Sequence, residues 1–233
     1  MSAINLSWEK GDMAVEIDVQ LTVDKEIVVI HDKKTGRVGD KNLSIKRSSL
    51  KELKTVDVGS KKGEQWKGER IPALAEVLSS IPPQAKLIIE IKCGRELISH
   101  LISELRSSKI EASQIEIIAF NYRVLSEMKR EAPDYKMLWL LPLDYYWPAW
   151  VVKLNLKKKL VKLLKSNLDG VNVWAGKVIN KAFVKVVKNS GLSVYTWTVN
   201  NLENAKYLVD IDVDGITSDR AEWLDKQLTG ANS

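Results

Sequence analysis

Two carboxylates and an imidazole share one short stretch near the start of the chain. Residues 14–32 read AVEIDVQLTVDKEIVVIHD, in which two apolar runs flank a polar break. The first run alternates apolar and polar residues with a period of two, which is typical of a strand, so Glu16 and Asp18 lie on one face. The second run is rich in β-branched residues and also predicts a strand. If residues 24–25 form a two-residue turn, the runs pair as a hairpin and Asp18 faces His31.

Such a group of side chains suits metal binding and proton transfer. Carboxylate oxygens without thiolates or clustered histidines favour Mg²⁺ or Ca²⁺ over Zn²⁺. A histidine can give or take a proton near neutral pH. The same pattern also fits the solvated face of an ordinary antiparallel hairpin, and these residues alone leave both interpretations open.

The composition is that of an ordinary globular protein with a mild basic excess. The chain has 233 residues, 45% of them hydrophobic and 28% charged, with a formal net charge of +6. That excess suits an anionic substrate or surface, but no aromatic-basic motif accompanies it, so no nucleic-acid partner is predicted. The single cysteine, Cys93, excludes an intramolecular disulfide. Without a secretory signal or an apolar run long enough to span a membrane, the chain as written is expected in the cytoplasm, whereas the location of a full-length product stays open.

Strands and helices alternate through the rest of the chain. Repeated strand–helix units predict a parallel sheet with helices outside it, and 233 residues suit one α/β barrel domain over residues 1–233. Counting the first run of the hairpin but not its return arm gives seven parallel strands. After the hairpin the predicted strands are Leu87–Lys92, Ile115–Phe120, Lys136–Leu141, Gly170–Val173, Ser193–Val199 and Asp214–Thr217.

Six motifs, spread in order over nearly the whole chain, carry a family resemblance. They read VEIDVQLTVDKEIVVIHD, LKELKTVDVGS, GERIPALAEVL, LIIEIK, VYTWTVNN and VDGITSDR. On these motifs the chain resembles the glycerophosphodiester phosphodiesterase family. The resemblance implies a TIM (β/α)₈-type barrel with its active site at the C-terminal ends of the strands. It also implies hydrolysis of a small-molecule glycerophosphodiester to glycerol 3-phosphate and an alcohol, with one divalent cation, Mg²⁺ or Ca²⁺.

The family's metal-binding acids match Glu16, Asp18 and Glu90. A phosphodiester is negatively charged and repels nucleophiles, and a divalent cation would offset that charge. The alternative is that Glu90 and Lys92, in the motif EIK, only form an ion pair with each other at a strand end.

The resemblance assigns roles to three further residues. It implies that His31, of the HD pair, acts as a general acid/base and that Lys92 contacts the phosphate and supplies catalytic positive charge. Trp197, of the motif WTVN, matches a residue that lies near the substrate. Its strand parity with Tyr195 and Val199 leaves a place in the core as the alternative.

The chain departs from the family pattern at its start. The family begins with a strand ending in His-Arg-Gly, followed by a Pro-Glu-Asn-Thr loop, and Ser2–Lys10 resembles the helix that comes after that loop. We therefore expect the first barrel strand and one of two catalytic histidines to be absent from this sequence. His100 is expected on the polar side of a helix and cannot replace that histidine. Whether upstream coding sequence supplies the strand is left open.

Two consequences of that departure are expected. The barrel would keep a gap between Met13–Gln20 and Gly215–Thr217, and an open edge promotes self-association. The alternative function is a catalytically impaired or non-catalytic barrel that still binds metal and phosphate.

An aromatic segment and a basic helix stand out in the second half. The segment Tyr145–Trp150 follows a strand, which in a barrel of this type places it on the active-site face, where it could cover a substrate tail or touch lipid. The helix predicted over Leu156–Lys165 places lysines opposite leucines. Such a helix can bind an anionic membrane, or it can be a barrel helix with a solvated lysine face.

Overall fold

The computed structural model describes residues 1–143 and 158–230. These residues divide into two compact units, Met1–Ile117 and Ile118–Ser233. The strands are β1 Ala14–Leu21, β2 Ile27–Val29, β3 Lys86–Ile91, β4 Ile115–Ala119, β5 Lys136–Leu141, β6 Gly170–Trp174, β7 Ser193–Trp197 and β8 Gly215–Ile216. The helices are α1 Ser2–Glu9, α2 Leu50–Leu53, α3 Leu74–Leu78, α4 Ile98–Ser107, α5 Tyr122–Glu131, α6 described over 158–165, α7 Lys181–Lys188, α8 Leu202–Asp210 and α9 Ala221–Thr229.

The hairpin of the first unit forms as predicted, but its register is one residue from the expected one. β1 pairs with β2 through Val19 and Val29, so Asp18 lies opposite Ile30, whose N–H donates to the Asp18 carbonyl at 2.9 Å. The predicted pairing of Asp18 with His31 is therefore wrong. The loop holds three residues rather than two, because Lys25 adopts a left-handed conformation with φ of 68°.

The side chain of Thr22 stabilises this longer loop. Its hydroxyl contacts the Asp24 carboxylate at 2.6 Å and the Glu26 carbonyl at 3.0 Å, and it accepts from the Glu26 N–H at 2.9 Å. The two-residue loop is predicted from the backbone pattern alone. That pattern gives no account of a threonine side chain that forms hydrogen bonds across the base of the loop.

β1 also pairs with β3, in parallel, which confirms the predicted change from hairpin to parallel sheet. The register sets Asp18 beside Glu90 and Glu16 beside Ile88. Ile17, Val19, Ile89 and other apolar residues of these strands are almost fully buried. Burial of that face holds the register, since a slip by one residue would turn every side chain to the other side.

The long polar stretch between β2 and β3 is ordered by a small core of its own. Its buried members and Val28 of β2 form one cluster, comprising Val28, Ile45, Leu53, Val56 and Ile71. Helix α2 begins with a capping box, in which Ser49 and Glu52 exchange side-chain and backbone hydrogen bonds. The stretch is therefore an elaborated loop that packs against the hairpin.

The second unit contains the parallel strands β5, β6, β7 and β8, each paired with the next. Asparagine side chains cap the helices α5, α7 and α8. The cap of α8 is Asn201 rather than the preceding Asn200. Asn200 instead donates to the Asp219 carboxylate at 2.7 Å and accepts from the Asp219 N–H at 2.9 Å.

Part of the edge of β1 is occupied by another strand. On the side away from β3, the last three residues of β1 pair with β2, so the return arm of the hairpin occupies that part of the edge. Edge-mediated self-association and the relation of Met13–Gln20 to Gly215–Thr217 stay predictions. The aromatic segment Tyr145–Trp150 and the first two residues of the predicted basic helix lie outside the described residues. Within the described ranges, no helix combines the length and apolar character needed to cross a membrane.

Candidate active site

Three carboxylates meet where β1 and β3 run side by side. Glu16 and Asp18 project from one face of β1, and Glu90 projects from β3 next to Asp18. Carboxylate oxygens of all three lie within 4.8 Å of one another. The strand period of two and the parallel register therefore assemble the three acids that the sequence assigns to a metal site, although the hairpin register differs from the predicted one.

An ammonium group lies against two of these acids. Lys92, directly after β3, places Nζ 2.7 Å from Glu90 Oε1 and 3.1 Å from Asp18 Oδ1. Burial opposes the charge on Lys92, but the hydrogen bond and attraction of Glu90, with Asp18, raise its pKa. Glu90 and Lys92 therefore pair as the alternative interpretation predicts, and both lie in the acid group, while the metal role of the acids stays a prediction.

The acid group holds more negative charge than Lys92 can offset. Three carboxylates against one ammonium leave two negative charges when all are ionised. Burial, with repulsion from Asp18 and Glu90, raises the pKa of Glu16 to about 8, despite the opposing effect of Lys92. Burial also raises the pKa of Glu90, with Lys92 lowering it.

One oxygen of this group lacks a partner. Glu16 Oε1 is buried and has no hydrogen bond to any described residue. A buried carboxylate oxygen without a partner is costly. An oxygen-only donor set with more negative charge than Lys92 offsets and with an unsatisfied oxygen fits a hard divalent cation such as Mg²⁺ or Ca²⁺.

His31 follows β2 on a segment that a buried amide holds in place. Gln20 Nε2 lies 3.1 Å from the Ile30 carbonyl, 3.1 Å from the His31 carbonyl and 2.6 Å from the Asp32 carbonyl. Gln20 itself is buried. Burial is the main influence on the pKa of Glu90 and raises it, whereas a positive charge on His31 is a minor influence that lowers it. The other histidine, His100, lies on α4 and is partly buried.

A carboxylate fixes the orientation of the His31 ring. His31 Nδ1 lies 2.7 Å from Asp32 Oδ1, and Arg37 Nε donates to Asp32 Oδ2 at 2.5 Å. The hydrogen bond from Arg37, and then that from His31, lower the pKa of Asp32 to about 2, so Asp32 is an ionised acceptor. Nδ1 of His31 therefore carries the hydrogen, and Nε2 is the nitrogen left to accept a proton.

Trp197 ends β7 in the second unit and belongs to an aromatic group. Its ring meets Phe120 and Trp174 edge to face, with centroid distances of 5.7 and 5.6 Å, and its Nε1 donates to the Asn172 carbonyl at 3.3 Å. Because Trp197 is partly exposed and Phe120 is exposed, this group is a surface rather than core. The alternative that Trp197 is a core residue is thus not what the structure shows.

The sequence reasoning gave no role to Gln20, Asp32 or Arg37. Gln20 and Asp32 stand inside the quoted motif, and the period of two puts Gln20 on the same face as Glu16 and Asp18. An amide side chain on the same strand face as the two acids is the feature of the sequence that could have pointed to a role for Gln20. Arg37 gives no such signal, because it reaches Asp32 from a short helical turn in the following loop.

The family model described as the glycerophosphoryl diester phosphodiesterase family matches residues 1–223. A glycerophosphodiester phosphodiesterase of Caldanaerobacter subterraneus is 32% identical over 229 residues, spanning 96% of this chain and 89% of that protein. The chain belongs to the glycerophosphoryl diester phosphodiesterase family. A second family member, from Bacillus subtilis, is 25% identical over 93% of this chain and 76% of its own length.

Solved structures of this family share the fold. A phosphodiesterase of Oleispira antarctica, in complex with the product sn-glycerol-3-phosphate, has a TM-score of 0.84 at 24% identity and covers 98% of this chain and 90% of its own. A glycerophosphodiester phosphodiesterase of Thermotoga maritima has a TM-score of 0.76 at 22% identity, covering 97% of this chain and 90% of its own. The predicted α/β fold of TIM-barrel type is confirmed, and the chain is a member of a family of phosphoric diester hydrolases.

Proposed function

We propose that this protein hydrolyses glycerophosphodiesters to glycerol 3-phosphate and an alcohol. Membership of the family supports this reaction class. The observation that carries the proposal is the convergence of Glu16, Asp18 and Glu90 on one point, with Lys92 against two of them. The phosphodiesterase solved with sn-glycerol-3-phosphate shows that a protein of this fold binds that product.

The three carboxylates would hold a divalent cation, Mg²⁺ or Ca²⁺. When bound, the cation would offset the charge of the phosphodiester and orient one of its oxygens. Lys92 keeps a fixed positive charge beside Asp18 and Glu90, which suits the binding of an anionic phosphate. The substrate is thus a small molecule with one phosphodiester group, and the charge pattern of the site agrees with that class.

Proton transfer is assigned to His31. Its Nδ1–H donates to ionised Asp32, so Nε2 is available to accept a proton from a nucleophile or to return one to a leaving oxygen. Its side chain is 60% exposed, which leaves room for a substrate. Trp197, with its exposed aromatic neighbour Phe120, is proposed to contact an apolar side of the substrate.

Glycerophosphocholine hydrolysis tests the proposal. The purified chain is assayed for release of glycerol 3-phosphate with Mg²⁺, with Ca²⁺ and after chelation, alongside Glu90→Gln and His31→Ala. Glu111→Gln, an exposed glutamate before β4, is the matched control. We expect chelation and both site variants to lower the rate, by roughly 10²–10⁴-fold for the histidine. Unchanged rates in the site variants would contradict the proposal.

A second candidate is a barrel that binds metal and phosphate without turnover. It is favoured by the histidine count: the sequence has two, and His100 lies on α4 rather than in the loop that carries His31. Calorimetry with Mg²⁺ or Ca²⁺ separates the two candidates. Cation binding that requires Glu90, without any hydrolysis, would favour the non-catalytic function. The cytoplasmic location predicted from the sequence is kept as a part of either proposal.

A further inference from the structure

The basic excess of the chain is concentrated in one segment of the second unit. Residues 153–188 contain ten lysines and a single acidic residue, Asp169, whereas the whole chain has a net charge of only +6. Asp169 does not neutralise these lysines, because its carboxylate accepts from buried Lys129 at 2.8 Å and from the Met137 N–H at 2.7 Å. The described residues of this segment include α6, β6 and α7.

The two helices of this segment bury apolar residues and expose lysines. Their buried side chains are Leu160 and Leu163 of α6 and Phe183, Val184 and Val187 of α7. Their exposed lysines are Lys158, Lys162 and Lys165 of α6 and Lys181 and Lys185 of α7. The leucine face of α6 therefore packs inward, as expected for a barrel helix with a solvated lysine face. The composition of the outer face is a separate feature.

Apolar side chains interrupt the lysines on the outer faces. Val161 is 43% exposed, Leu164 is 48% exposed and Val186 is 50% exposed. These side chains add apolar area to the lysine-rich outer faces of α6 and α7. Exposed aliphatic groups among lysines are the pattern of a helix that rests at a bilayer interface.

The strand order indicates that both helices lie on the same side of the second unit's sheet. α6 connects β5 to β6 and α7 connects β6 to β7, and these strands are neighbours in parallel. Such crossovers are right-handed in nearly all proteins, which puts consecutive helices on one side of the sheet. The lysines and aliphatic groups of α6 and α7 can therefore face one partner together.

We propose that the outer faces of α6 and α7 dock on an anionic lipid bilayer. Lysines attract the headgroups of acidic lipids, and Val161, Leu164 and Val186 enter the boundary between headgroups and acyl chains. A nucleic-acid partner would also meet the lysines but would gain nothing from the exposed aliphatic groups.

Vesicle sedimentation tests the docking. The whole chain is mixed with vesicles of phosphatidylcholine, and with vesicles in which about one third is phosphatidylglycerol. We expect binding only to the second kind, weakened by salt. The triple variant K158Q/K165Q/K185Q should bind roughly 100-fold more weakly, because each lysine near an anionic surface contributes a similar share of the binding free energy. The double variant Val161→Ser with Leu164→Ser should also bind more weakly while keeping the salt dependence.

A charge-matched control makes the result specific. The triple variant K51Q/K62Q/K109Q removes exposed lysines of the first unit and should bind like the unaltered chain. Equal weakening by this control, no binding of the unaltered chain, or lysine-dependent binding to duplex DNA without vesicle binding would each overturn the proposal. Hydrolysis of soluble glycerophosphocholine should be the same in all the lysine variants. A failure of the docking proposal is therefore distinct from a failure of the proposed enzymatic function.

Discussion

Nδ1 of His31 lies 2.7 Å from Oδ1 of Asp32, its immediate neighbour in the chain. Asp32 in turn accepts two hydrogen bonds from Arg37, at 2.5 and 3.2 Å. The histidine thus belongs to a short relay in which an arginine keeps a carboxylate ionised and the carboxylate selects the tautomer of the imidazole. The proton-transfer role proposed for His31 depends on both hydrogen-bonded pairs, Arg37 with Asp32 and Asp32 with His31.

Asp32→Asn should impair turnover without removing the imidazole. An amide can present either an N–H or a carbonyl to Nδ1, so the tautomer is no longer fixed. We expect kcat to fall roughly 10- to 100-fold, as when the partner of a functional histidine is lost. The pH–rate profile should also shift, because an ionised neighbour no longer stabilises the protonated ring. Asp210→Asn, at an exposed position in α8, is the control, and an unaltered profile in Asp32→Asn would remove the relay from the mechanism.

Gln20→Met should separate catalysis from metal binding. The substitution keeps the volume of the buried side chain but removes the donor that reaches the carbonyls of residues 30, 31 and 32. We expect a loss of stability of about 1–3 kcal/mol from the unsatisfied carbonyls. Turnover should fall because His31 loses its fixed position, whereas calorimetric cation affinity should persist because the Gln20 amide donates to backbone carbonyls of the His31 segment. Loss of both together would show that Gln20 shapes the whole site.

The sequence predicts the parts of this protein that depend on periodicity. The alternation in β1 places Glu16 and Asp18 together, and parallel pairing brings Glu90 to Asp18 whatever the hairpin register is. The register itself could not be predicted, since it depends on a threonine side chain and on Lys25 in a left-handed conformation. Partners in loops, such as Arg37, could not be predicted for the same reason, because loops have no regular pattern of polar and apolar residues.

Cation binding near neutral pH should release a proton from Glu16. Burial, with repulsion from Asp18 and Glu90, raises its pKa to about 8, so the carboxyl is protonated at pH 7 and must ionise to coordinate. We expect cation affinity to fall as the pH drops below about 8. Calorimetry at pH 7 in buffers of different ionisation enthalpy counts the proton. Glu16→Gln should abolish the release, Glu9→Gln should retain it, and buffer-independent heats in the unaltered chain would contradict this assignment.

Without a cation, the same shift should weaken the folded state at high pH. A folded-state pKa above the ordinary value means that the contribution of Glu16 is fully present below about pH 4.5 and is lost as the pH rises through about 8. Chelated protein should therefore melt at a lower temperature at pH 8.5 than at pH 6, and Glu16→Gln should reduce that difference. If the melting temperature fell equally between pH 6 and pH 8.5 in both proteins, the folded state would not raise the pKa of Glu16.

Glu104 of α4 should produce a separate pH dependence of stability, away from the acid group. Burial, with repulsion from Glu26, raises its pKa to about 7. Its contribution to the free energy of unfolding is full below about pH 4.5 and is lost as the pH rises through about 7. Since the side chain is only partly buried, we discount the shift for solvent screening and expect a loss of about 1–2 kcal/mol by pH 8.

Glu104→Gln tests this because the amide cannot ionise. The variant should be more stable than the unaltered chain at pH 8 and similar to it at pH 4, as measured by urea unfolding at both values. Glu26→Gln should give part of the same gain, since it removes the repelling charge. Glu111→Gln, an exposed glutamate outside this pair, should leave both values unchanged. A gain in Glu104→Gln that is equal at pH 4 and pH 8 would point to better packing of the amide rather than to the loss of a buried charge.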